Sequence, residues 1–218
     1  MPPLMPTYIK IAGTDFDISH LAPYRTVVDV PLRGGQVKRM RVEIAYTNHC
    51  YSRRPIDALR EEIPAGYLIR DGAKVRMFCP RRYRLSLNLP RIMSALIRSE
   101  TRVWSVAGNN FVQVELVDDE ADAIHTTINY YVMMRIQKHA PPEEPKLIRV
   151  RVETAFPEDV LYYDKPVLKK PFSFRKLLAC VWEERDPNDL APRSHRNAGG
   201  KKSVSKSKRP LDKGGVRK

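Results

Sequence analysis

The sequence predicts an α+β protein: a mainly antiparallel sheet, two packed helices and a disordered basic C-terminal tail. Segments at 37–51, 102–117, 126–138 and 147–156 alternate apolar and polar residues with the period of two that a half-buried strand needs. Two others, 88–100 and 173–185, place apolar residues three and four apart, as one face of a helix does. Beyond position 192 the chain turns basic and small. With 218 residues and 42% hydrophobic content, positions 1–192 are enough for one core, with a possible sub-boundary near 85.

In chain order, Thr26-Val27-Val28-Asp29-Val30 and the strand at 37–51 flank Arg33-Gly34-Gly35-Gln36, a hairpin signature. In the second of these strands Met40, Val42, Ile44 and Tyr46 alternate with Arg39, Arg41 and Glu43. Positions 53–71 read as irregular, broken by Pro55, Pro64 and Gly66 around a short helix at 56–62, and a strand-like piece follows at 74–79. The helix at 88–100 takes Asn88 as its N-cap and Pro90 in its first turn, with Leu89, Ile92, Met93, Leu96 and Ile97 as its stripe. Gly108-Asn109-Asn110 turns 102–107 into 111–117, and Pro141 to Pro145 stiffens the link between 126–138 and 147–156. The last helix, 173–185, carries Phe174, Leu177, Leu178, Val181 and Trp182 behind a Ser173 cap and stops at Asp186-Pro187-Asn188.

The formal net charge of +14 is unevenly spread. Residues 193–218 hold ten basic side chains, Lys201 and Lys202 among them, and one acid, so +9 sits in a tail with too little apolar area to offset its ordering entropy. In the body, 53–102 carries +7, 1–52 carries +2 and 103–192 carries −4. This polarity points to a polyanionic partner, RNA or single-stranded nucleic acid rather than duplex DNA. No apolar run approaches membrane-spanning length, so no membrane partner is expected. No secretory leader is read at the N-terminus, and Cys50, Cys79 and Cys180 form neither a disulfide framework nor a CxxC module; a cytoplasmic location is the expectation. Nothing in the pattern sets the oligomeric state.

Three clusters carry candidate chemistry. In Tyr46-Thr47-Asn48-His49-Cys50-Tyr51-Ser52-Arg53-Arg54, His49 is a general acid/base or else an ordinary hydrogen-bonded strand-end histidine, and Cys50 suits a core position better than a nucleophile's. His49 and Cys50 point to opposite faces if the strand continues, so no metal site and no cofactor are expected. In the second cluster, Arg76, Arg81, Arg82 and Arg84 interleave with Phe78 and Tyr83. Together with Arg53 and Arg54 these arginines can grip phosphates while a ring stacks on a base; alternatively the rings are core and the arginines surround them. The third runs from Arg149 to Pro157, where alternation puts Arg149, Arg151 and Glu153 on one face and Val150, Val152 and Thr154 on the other.

The phrase Val152-Glu153-Thr154-Ala155-Phe156-Pro157, closing an antiparallel sheet that follows a mixed N-terminal part, resembles the barnase-like and colicin-type ribonuclease folds. That resemblance implies RNA cleavage by attack of a 2′-hydroxyl, with a His, an Arg and a Thr or Tyr at the site. Thr154 matches by motif, His125, Arg135 and Arg149 could join it through sheet geometry, and His49 lies outside the matching stretch.

Two functions of different class follow: a nucleic-acid-binding protein, bacterial or from a mobile element, contacting RNA through 53–102 with the tail adding non-specific attraction, and a metal-independent ribonuclease. In the second, His49 or His125 is the acid/base, Thr154 assists, and Arg82 and Arg149 hold phosphate. A third possibility is a non-catalytic binder of an acidic protein.

Overall fold

A computed structural model describes residues 7–55, 61–99, 101–106, 111–119, 126–158 and 166–187. The expected helix at 56–62 and the basic tail lie largely or wholly outside these residues.

The chain opens with a small hairpin, β1 (Tyr8–Ile11) and β2 (Thr14–Asp17), and then forms the expected one, β3 (Tyr24–Pro31) and β4 (Val37–Tyr46). A short three-stranded sheet follows, ordered β5 (Ser52–Arg53), β7 (Lys74–Phe78), β6 (Leu68–Asp71). Helices α1 (Pro80–Ser86) and α2 (Leu89–Arg98) come next. Strands β8 (Arg102–Ser105), β9 (Phe111–Asp119), β10 (Thr126–His139) and β11 (Leu147–Pro157) form the meander, and β12 (Pro171–Ser173) leads into α3 (Phe174–Trp182).

The expected α+β layout, a mainly antiparallel sheet with two packed helices, is corrected here. Strands take 49% of the structure and helices 21%, around one curled seven-stranded mixed sheet, and the described α-helices number three. Its order is β12-β8-β9-β10-β11-β4-β3, and β11 runs parallel to β4, with Arg149 opposite Glu43 and Val152 opposite Tyr46. A parallel pair of strands distant in sequence has no hairpin turn to announce it, and its alternation looks like that of an antiparallel pair. The third helix, α1, covers the second arginine cluster, to which no element was assigned from the pattern; Pro80 enters it where the missing N–H costs nothing.

One face of the sheet is the core: Val28, Val30, Met40, Val42, Ile44, Val132, Met134, Val150 and Val152 are buried with the apolar faces of α2 and α3. Leu85 belongs to the same cluster, so residues before and after position 85 share one core. Asn88 holds the expected N-cap position, but its side chain makes no cap bond. α1 precedes it almost without a break, leaving Asn88 helical (φ −78°, ψ −18°), and its amide donates backward to the Leu85 carbonyl at 3.3 Å. Among the described residues no helix is long and apolar enough to cross a membrane.

Candidate functional site

The cleft starts where β4 ends. The strand stops at Tyr46 and the chain makes a 3-10 turn at Asn48–Cys50, so His49 does not continue the alternation of Arg41 and Glu43. Thr47 organises this turn. Its hydroxyl accepts from the His49 N–H (3.3 Å) and donates to the Glu153 carbonyl (2.7 Å), tying the turn to β11. Replacing Thr47 by valine removes both bonds at nearly constant volume and is expected to cost about 0.5–2 kcal/mol. A urea titration should show a lower midpoint at unchanged slope.

On β11 the strand register shifts. Met133 pairs with Thr154 but Met134 pairs with Val152, so Glu153 is an extra, unpaired residue. A bulge of this kind reverses the alternation beyond it. Val150 and Val152 point into the core, whereas Thr154 and Phe156 emerge on the face of Arg149 and Arg151, with Ala155 taking the next inward place. The expectation that Thr154 shares a face with Val150 and Val152 is thus overturned by one inserted residue.

His49, Arg54, Arg76, Arg82, Thr154 and Phe156 line a cleft of about 230 Å³. His49 Nε2 lies 2.7 Å from Asp71 Oδ2, at the end of β6. Two arginines hold the floor. Buried Arg76 donates from Nε to the Ser52 hydroxyl (2.8 Å) and from Nη2 to the Ser52 carbonyl (2.9 Å). Buried Arg82 donates to the same carbonyl (2.9 Å) and to that of His49 (3.4 Å), while its guanidinium lies 5.6 Å from the Phe156 ring centre. The Thr154 hydroxyl also donates to the His49 carbonyl, at 3.4 Å. Arg54 is exposed at the rim.

Burial pushes the His49 imidazole below its ordinary value; the Asp71 hydrogen bond works against this, but the Arg76 charge adds to it. The hydrogen bond to His49 in turn holds the Asp71 carboxyl below the usual carboxylate range. At neutral pH the imidazole is therefore uncharged. With Asp71 accepting the Nε2 proton, Nδ1 keeps a lone pair.

The other sequence candidates are placed elsewhere. Arg149 Nε is 2.6 Å from Glu43 Oε1, and Arg25 grips the same carboxylate at 3.1 Å from the opposite neighbouring strand. Burial raises the Glu43 carboxyl, but the bonds from Arg149 and Arg25 outweigh it and leave it below its usual value. Arg149 is thus part of a cross-strand ion cluster and not a wall of the cleft. Arg53 pairs with Glu61. On α1, Arg81 Nε lies 2.6 Å from buried Asp119, with Arg84 at 3.9 Å from its other oxygen. Phe78 is buried and Tyr83 packs against Phe16 and Phe78, its hydroxyl donating to the Asp17 carbonyl. Phe78 is closed to stacking on a base, whereas Tyr83 is half-buried. Cys50 is fully buried, its thiol pushed up to about 12 by that burial. His125, Lys201 and Lys202 lie outside the described residues. Among the described residues no group of three His, Cys, Asp or Glu side chains is placed to hold a metal ion.

Asp71 and Phe156 were not among the expected site residues. Asp71-Gly72 between short apolar runs is a hairpin signal that marks β6 and β7; Gly72 takes φ +59°, and Asp71 pairs with Lys74 across the turn. No local pattern places that turn beside His49.

The model of the YjaZ family matches residues 8–182. No curated protein and no solved structure matches the chain.

Proposed function

The chain belongs to the YjaZ family, and we propose that it binds single-stranded RNA and cleaves it in the His49 cleft, without needing a metal ion. The observation that carries this reading is the meeting of a neutral, carboxylate-oriented histidine with three arginines in one small cleft. Proton removal and a concentrated positive charge are what attack by a ribose 2′-hydroxyl requires.

In the reaction His49 Nδ1 takes the 2′-hydroxyl proton as the oxygen attacks the adjacent phosphorus. The bond from phosphorus to the 5′-oxygen breaks, that oxygen takes a proton from solvent, and a 2′,3′-cyclic phosphate is left. No water is consumed in this step. Arg54, Arg76 and Arg82 offset the charge that builds on the phosphoryl oxygens, while Thr154 holds the backbone of the turn. The resemblance of the Val152–Pro157 phrase to the barnase-like and colicin-type ribonucleases supports the same chemistry. The three free thiols among the described residues suit a reducing, cytoplasmic setting.

Incubation of the purified protein with single-stranded RNA in EDTA tests the proposal. Cleavage to cyclic-phosphate ends is expected. Intact RNA with a salt-sensitive mobility shift would leave binding without catalysis, the second function compatible with an arginine-lined cleft. Neither cleavage nor a shift at low salt would remove RNA as the partner.

The pH profile supplies a second test. A base acts unprotonated, so the rate should climb as pH rises through the folded-state value of His49. Because that value lies below the ordinary 6.5, the midpoint of the rise should fall below pH 6.5. Asp71→Asn removes a contribution that raises the imidazole, so the acid limb should move to still lower pH while the maximal rate falls. An unmoved limb would deny Asp71 this positioning role.

A further inference from the structure

The seven-stranded sheet ends at β3 on one side and at β12 on the other. β12 is three residues long, whereas β3 runs for eight, and its register with β4 has no bulge. Among the described residues no strand pairs with the outer edge of β3, and its backbone bonds to nothing beyond β4. A long, regular edge is a template for another strand, and proteins ordinarily blunt it with a bulge, a proline or an inward-pointing charge. Here Val28 and Val30 are buried in the core, Tyr24 packs against it, and Pro31 comes only at the strand's end. Between this edge and the helices lies a groove of about 540 Å³, lined by Tyr24 to Asp29, by Ser94, Ile97 and Arg98 of α2, and by Arg175 of α3. It shares no residue with the His49 cleft.

The helix wall of the groove is positive. Arg98 is exposed, and half-buried Arg175 donates from Nη2 to the Arg98 carbonyl at 3.1 Å, which lays its guanidinium against the last turn of α2. Among the described residues neither forms an ion pair, unlike Arg25, which Glu43 and Glu144 hold. Asp29, at the far end of the strand, is the one carboxylate among the lining residues. We propose that β3 receives an extended, acidic segment of a partner protein as an eighth strand of the sheet. Main-chain bonds along the edge give such a segment its affinity, and alternate side chains give it specificity. One set of its side chains lies over the helix wall beside Arg98 and Arg175 and takes Asp or Glu. The other lies on the open face beside Val27, an apolar side chain that is 46% exposed, and takes Val or Thr. RNA offers phosphates to the arginines but no ladder of amides and carbonyls to the strand edge. A second copy of this chain brings its own excess of positive charge, +14 in all, to the same arginines.

The probe is a fluorescein-labelled octapeptide that alternates Glu with Thr or Val, titrated with the full chain and followed by anisotropy. Binding that weakens as salt rises is expected, together with slowed hydrogen exchange at Tyr24–Pro31. The same peptide with Lys in place of Glu should bind at least about tenfold more weakly. N-methylation of one alternate set of its amides should weaken binding by about tenfold or more, and methylation of the other set should change little, because only one set faces β3. Arg98→Glu combined with Arg175→Glu should lower affinity for the Glu peptide and raise it for the Lys peptide. That exchange of preference separates a lost contact from a lost fold. No binding of the Glu peptide, equal losses on methylating either set, or exchange slowed only around the His49 cleft would overturn the proposal. So would a concentration-dependent dimer that protects β3 without peptide, which gives the edge to a second copy. Protection of β3 by single-stranded RNA, with displacement of the peptide, would overturn it in favour of nucleic acid.

Discussion

Replacing His49 by alanine is expected to lower RNA cleavage by about 10²–10⁴-fold, the usual contribution of a positioned general base. The imidazole is part-exposed and its one described side-chain bond is to Asp71, itself near the surface, so the fold should survive the change. Circular dichroism and urea midpoints close to those of the unaltered protein would therefore accompany the loss. His49→Gln keeps an amide that can still bond Asp71 but has no titratable nitrogen; it should be as inactive as the alanine variant. Cleavage within twofold of the unaltered rate in either variant would remove His49 from the chemistry.

Arg82→Ala is expected to act on stability and chemistry together. The guanidinium is buried, supports the carbonyls of Ser52 and His49 and lies over Phe156. Hydrogen bonds from a charged donor contribute about 1.5–3 kcal/mol, and a loss of that size should appear in the urea midpoint. Per folded molecule, cleavage should fall by about 10²–10³-fold, because the positive charge facing the phosphoryl oxygens is gone. Arg82→Lys separates the two effects. It restores the charge but lacks the planar fork that reaches two carbonyls and lies on a ring. Binding should recover its steep salt dependence while stability and rate recover only in part. A variant as active as the original after correction for folding would make Arg82 purely structural.

The strands and helices that form from local pattern were legible in the chain. β4, β9, β10, β11, α2 and α3 follow the alternation or helical spacing of Val42 and Ile44, Tyr130 and Val132, Ile92 and Leu96, Leu177 and Leu178. What was not legible depends on contacts between distant segments. The parallel pairing of β4 with β11 carries no turn signal, and the bulge at Glu153, whose carbonyl accepts from the distant Thr47 hydroxyl, has no local pattern to announce it. The same holds at the cleft. His49, Arg54, Arg76, Arg82 and Thr154 were each recognisable as candidates by residue type, and the structure brings these five to one cleft. Arg149, Tyr83, Arg53, Arg81 and Arg84 were equally plausible by type, but Glu43, the Phe16–Phe78 cluster, Glu61 and Asp119 engage them. A basic count along the chain cannot separate an arginine that faces an open cleft from one that neutralises a neighbouring strand.

The most direct measurement uses a short single-stranded RNA with a 2′-deoxy sugar at one position of its main cleavage site, incubated with the protein in EDTA and resolved by mass spectrometry. Attack by the ribose hydroxyl requires that the substituted linkage resist cleavage while the all-ribose strand is cut to a 2′,3′-cyclic phosphate and a 5′-hydroxyl. Cleavage of the deoxy-substituted linkage at an undiminished rate, or products ending in a 5′-phosphate, would contradict a mechanism in which His49 withdraws the 2′ proton.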